Sequence, residues 1–236
     1  MKLLLTSLII TTSTFGFASK ESEGLIYKKI MQGGTHAIEA YQEIYANNER
    51  ISAINLFMGA GIAFKEKKFK EAAFLFYIAK FRAQFDKDLF PPTGTGGNSP
   101  MVLFGALSHQ MGSAINPEIM KRPSEYSKAI ELASNWLPRV PSDYHPGWEY
   151  EEKGDIAECI DALKLSIADF NKGMNGFASL LNDPEYFEAF RTVQDYNLIF
   201  DDTRPSEEEK EKAIAKMTEI EKRKNIRGMY YNPEKE

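Results

Sequence analysis

Cysteine is almost missing from this 236-residue chain: Cys159 stands alone, so no disulfide can close within it and stability must come from an apolar core. Histidine is nearly as scarce. His36, His109 and His145 include no His-x-x-x-His pair, and no Gly-x-Ser-x-Gly elbow occurs, which removes the common zinc-hydrolase and serine-hydrolase signatures. Basic charge is not in excess either, with 29 Lys and Arg against 34 Asp and Glu and a net charge of −5. That balance disfavours nucleic acid, whose phosphates demand clustered cations, and suits a Lys- or Arg-rich partner. Runs of alternating β-branched residues are lacking, so nothing reads as a strand. Hydrophobic residues nonetheless make up 43% of the chain, enough to build a core without disulfides.

The first eighteen residues read as a secretory signal. Lys2 supplies the positive start, Leu3–Ile10 the apolar stretch, and Gly16-Phe17-Ala18 a small-x-small cleavage site. The apolar stretch is far shorter than the roughly 20 residues that span a bilayer, and Thr11–Thr14 interrupt it. Residues 1–18 are therefore expected to be removed on export, leaving residues 19–236 as one helical domain with no stable membrane insertion; an uncleaved anchor is the competing reading. Cys159 falls in an apolar periodic segment and reads as a buried structural thiol.

Helical periodicity runs through the rest. Residues 21–32 and 35–46 form two opening helices divided at Gly33-Gly34, with Thr35 as an N-cap. Ile51, Ile54, Met58, Ile62 and Ala63 mark a helix over 50–66, and Lys67-Lys68 turn into a second over 69–85. That second helix is apolar around most of its girth, which predicts packing on two sides. Further starts are signalled by Ser99-Pro100, Asn116-Pro117, Asp183-Pro184 and the capping box Ser206-x-x-Glu209. The last opens a charged helix over 206–224 whose acidic start and basic end complement the helix dipole.

Phe69-Lys70-Glu71-Ala72-Ala73, followed by Phe76 and Ala79, resembles the second helix of a tetratricopeptide repeat, where small residues let paired helices approach closely. Tyr126-Ser127-Lys128-Ala129-Ile130 and Gly154–Ile160, continuing to Leu163 and Ser166, share the register. The anchors Ala72, Ala129 and Cys159 are unevenly spaced, unlike the constant period of about 34 in a regular array. The predicted fold is all-α: a compact, degenerate domain of repeat-like hairpins over 50–85, 100–137 and 153–200, interrupted by two long loops. An irregular bundle with chance matches is the alternative.

The two loops are Asp86–Ser99 and Pro138–Trp148. Gly94-Thr95-Gly96-Gly97-Asn98-Ser99 could offer backbone amides to an anion, yet no Lys-Ser or Lys-Thr follows and no strand precedes, so it reads as a flexible loop ending in a cap. Ser108 and His109 are adjacent on a helix and point about 100° apart, which disfavours a nucleophile–base pair, and His109 reads as a core or groove residue. No catalytic, metal or cofactor set emerges. The second loop carries Tyr144, His145, Trp148 and Glu149, the residue types enriched where proteins meet proteins. Facing outward they are partner-binding anchors; folded inward, the aromatics are core.

The run Glu71–Arg82, the Pro-Gly loop and Met101–Asn116, together with the exported leader, resemble a group of periplasmic immunity proteins of type VI secretion lipase effectors. The resemblance covers about residues 50–120. It implies a non-enzymatic protein that binds a cognate toxin, a lipase, and occludes its active site; no contact residue carries over. The alternative from another class is a periplasmic helical-repeat scaffold for envelope or secretion machinery.

Overall fold

A computed structural model describes residues 21–94, 99–142 and 144–233, with side chains from Glu23 onward; the expected leader Met1–Ala18, Thr95–Asn98 of the glycine loop and Asp143 lie outside the described residues. Among the described residues the chain is helical, in the order α1 (Glu21–Gln32), α2 (Gly34–Ala46), α3 (Ala53–Lys65), α4 (Phe69–Leu89), α5 (Pro100–Met120), α6 (Pro123–Ser134), α7 (Ile156–Leu181), α8 (Pro184–Leu198) and α9 (Glu207–Lys224). The only extended pairing described is an isolated bridge between Pro92 and Tyr150. No described helix is long and apolar enough to cross a membrane.

Helix α4 is the axis of the molecule, with α3, α5, α6 and α7 packed around it. Its sequence dictates that position: Phe74, Leu75, Phe76, Tyr77, Ile78, Phe81 and Phe85 are all buried, and the exposed polar face is confined to a narrow stripe of Lys80, Gln84 and Lys87. Ala60 and Ala63 on α3 and Ala72, Ala73 and Ala79 on α4 are fully covered, so the hairpin closes on small side chains. Lys67 makes the turn in a left-handed conformation (φ 58°), and the Lys68 amide closes back on the Ala63 carbonyl at 2.9 Å. Tyr126, Ala129, Ile130 and Ala133 give α6 the equivalent inward face toward α4. Helices α8 and α9 pair with each other, and α8 leans on α7.

Several local expectations change. The turn between α1 and α2 uses Gly33 and Gly34, both at positive φ, and Gly33 occupies the N-cap position that Thr35 was expected to fill. Asn116-Pro117 does not open a helix: α5 continues through Pro117 to Met120. An internal proline costs about 3 kcal/mol, and full burial of Ile115 and Ile119 on either side of it offsets that loss. Helix α4 extends to Leu89 rather than stopping at 85, because Asp86 finds its partner one turn back at Arg82. In α7 the buried stripe is Cys159, Leu163 and Ile167, while Ile156 and Ser166 are exposed, so the third repeat-like register is displaced. The caps at Ser99, Asp183 and Ser206 form as their sequences suggest, each side chain accepting a first-turn amide.

Candidate functional site

The long connection from α6 to α7 carries the four residues singled out for partner binding, and its path is set by groups buried beneath it. Arg82 enters from α4 with its side chain fully buried. Its Nε lies 2.9 Å from Asp86 Oδ1, and its Nη1 donates to the carbonyls of Glu49 and Arg139, both at 3.2 Å. Tyr144 drops onto this pair. Its hydroxyl donates to Asp86, Arg82 Nε donates to that same hydroxyl at 3.3 Å, and the guanidinium sits 4.1 Å from the ring centroid. One cation therefore joins the chain before α3, the centre of α4 and the loop.

Burial alone would lower the Arg82 pKa, but Asp86 and Tyr144 together raise it, so the guanidinium stays charged. Burial pushes the Asp86 carboxyl above its ordinary range, against the opposing pull of Arg82 and Tyr144. Tyr144 is raised well above a free phenol, first by burial. The cluster is a buried salt bridge with a phenol bonded to it.

Trp148 supplies the second pin. Its Nε1 donates to the Phe90 carbonyl at 2.7 Å and its ring meets Phe104 edge-on at 5.9 Å, leaving the side chain 8% exposed. Phe90 in turn contacts Tyr144 and Tyr150 at 5.8 and 4.9 Å. Backbone bonds from Thr93 to Glu149 and from Gly154 to Leu89 stitch the two long loops together. Tyr144 and Trp148 thus take the inward orientation. They are core side chains whose removal from the surface leaves only His145, half-buried, and Glu149, exposed, available to a partner.

His145 borders the cleft of this region. Its Nδ1 accepts the Gly147 amide at 3.1 Å, so the other ring nitrogen carries the proton in the neutral form. Pro146 and Gly147 continue the wall, and Glu23, Tyr27, Ser52 and Asn55 form the opposite side, around about 40 Å³ of room for solvent. Glu23 is buried and engaged: its carboxylate accepts the Ser52 amide at 2.9 Å, the Ser52 hydroxyl at 2.7 Å and the Asn55 amide group. It thereby caps α3 from a distance, with its charge at the favourable end of the helix dipole. The cleft can admit a small polar group and is too small for the ligands of typical pockets, which occupy about 300–1,000 Å³.

Protein-family models, curated proteins and solved structures contain no match to this chain.

The remaining candidates do not converge. His36 is exposed on α2 and 3.8 Å from Glu39, while His109 lies on the exposed side of α5 rather than in a core or groove. Among the described residues no group of three His, Cys, Asp or Glu side chains is placed to hold a metal. Cys159 is buried, and burial together with Asp88, Asp155 and Glu158 pushes its thiol up, away from the reactive thiolate. Sequence reasoning passed over Arg82 and Asp86, although two opposite charges at i,i+4 inside an apolar helix are themselves a signal of a buried pair. It also passed over Phe200, whose exposure nothing in the pattern announces.

Proposed function

We propose that this chain is a periplasmic immunity protein that binds a cognate antibacterial effector of the type VI secretion lipase class and blocks access to its active site. The observation that carries the reading is the fixed α6–α7 loop: buried Tyr144 and Trp148 hold its underside while His145 and Glu149 remain at its surface. A loop ordered before binding loses less conformational entropy on association, which is what tight, durable inhibition requires. The acidic balance of the chain favours a basic target surface. The likeness of residues 71–82 and 101–116 to such immunity proteins gives the class of target. The alternative, a scaffold for envelope or secretion machinery, draws its support from the paired helices stacked around α4.

Co-purification from native cells, paired with survival of a deletion strain beside its toxin-armed parent, tests the proposal. One stoichiometric effector and death of the deletion strain are expected. Unimpaired survival with several envelope proteins in the eluate would overturn inhibition and favour the scaffold.

A further inference from the structure

The most exposed large hydrophobic side chain described is Phe200, 83% exposed, in the turn between α8 and α9, and Leu198 beside it is 54% exposed. Neither belongs to the α6–α7 loop. The turn that follows them is hydrogen-bonded. Asp201 Oδ1 accepts both the Thr203 amide at 2.9 Å and the Thr203 hydroxyl at 2.6 Å, and the Asp201 carbonyl accepts the Arg204 amide at 3.0 Å. Arg204 then reaches back, donating Nε to the Tyr196 carbonyl at 2.7 Å and stacking 3.8 Å above the Tyr196 ring. Lys210 approaches that ring at 4.4 Å, and the Tyr196 hydroxyl bonds Glu207. Phe200 is thus displayed to solvent at the start of a hydrogen-bonded turn, its ring centroid 5.6 Å from the Arg204 guanidinium.

An exposed aromatic on a mobile turn is ordinary; one whose support is built from an Asx turn, a cation–π stack and a back-reaching arginine is ordered before any partner arrives. Charge narrows the partner. Over residues 201–212 six acidic side chains stand against Arg204, Lys210 and Lys212, with Glu207 paired to Lys210 and Glu208 to Lys212, so the turn and the start of α9 carry a net negative charge. An acidic collar around an apolar knob is repelled by an anionic bilayer and complements an apolar depression with a basic rim.

We infer that Leu198 and Phe200 form an interaction anchor that inserts into an apolar, basic-rimmed depression on a protein partner. That partner is the effector, an assignment that rests on the inhibitory reading above. The anchor is separate from His145 and Glu149 and adds a second point of attachment, which raises specificity more than either contact alone.

The test uses the full mature chain and the purified effector. Binding of wild type, Phe200→Ser, Asp202→Lys and His145→Ala is measured by calorimetry or interferometry, with melting of each variant followed in parallel. Phe200→Ser is expected to raise Kd by about thirty-fold or more with unchanged melting, and Asp202→Lys to slow association several-fold at low salt. Effector binding equal to wild type in Phe200→Ser would overturn the anchor and leave the inhibitory reading intact. No effector binding by wild type would overturn both. Phe200-dependent flotation with phosphatidylcholine or phosphatidylglycerol vesicles would also overturn the assignment, in favour of a lipid surface.

Discussion

Trp148→Ala distinguishes a structural pin from a surface anchor. In the fold the indole is buried, donates to the Phe90 carbonyl at 2.7 Å and packs edge-on against Phe104. Truncating a buried Trp costs about 3–5 kcal/mol through lost contacts and the cavity left behind. About 1–3 kcal/mol of that belongs to the Phe90 carbonyl, stranded without its donor. For a chain of this size each kcal/mol moves the midpoint by about 2–4 °C, so Tm should fall by roughly 6–20 °C. Calorimetric melting and urea unfolding of the mature protein give the number directly. His145→Ala, at the half-buried edge of the same loop, serves as the control and should stay within about 0.5 kcal/mol of wild type. A Trp148→Ala protein that melts within about one degree of wild type would refute the inward placement and return Trp148 to the surface.

Arg82→Met should be severe, about 3–5 kcal/mol, because it leaves Asp86 buried without its cation; adding Asp86→Leu should restore most of the loss. The pH dependence follows from the raised Asp86 pKa: the folded state binds that proton more tightly than the unfolded one. The group's contribution therefore improves as pH falls through the folded value toward the ordinary carboxylate range, and the Arg82→Met penalty should shrink in that direction in melts. A penalty that grows on acidification would contradict the burial argument. Gly228→Ala addresses the C-terminal tail, where buried Glu221 accepts the Tyr186 hydroxyl at 2.7 Å and the Met229 and Tyr230 amides at 2.9 and 3.0 Å. A Cβ at 228 would stand 2.1 Å from that carboxylate, so the tail should detach and its amides exchange hydrogen faster; unchanged protection over 226–233 would refute the docking.

The sequence carries the helical core plainly because the relevant physics is local. A capping box at Ser206 and Glu209, a Ser-Pro start at 99–100 and an Ala-rich face on α4 each specify their structure within a turn or two. Misreadings occur where a distant contact decides. Pro117 signals a helix start, yet burial of Ile115 and Ile119 carries α5 across it. Thr35 can cap a helix, but the paired glycines before it make the turn first. The loop aromatics illustrate the limit most clearly: Tyr144 turns inward because Arg82 and Asp86, about sixty positions earlier, offer it a hydrogen-bonded seat, and no local pattern encodes that meeting. Glu23 caps α3 from 29 positions away, again beyond the reach of any local pattern. Phe200 is the converse, an apolar residue beside two aspartates that local reading passes over and only the folded turn displays.

The most direct test of the proposed inhibitory function is a titration of the lipase activity of the proposed effector with purified residues 19–236. Hydrolysis that falls in proportion to added protein and is extinguished at an equimolar ratio is the expected result. Activity that persists in the presence of a large molar excess would contradict it.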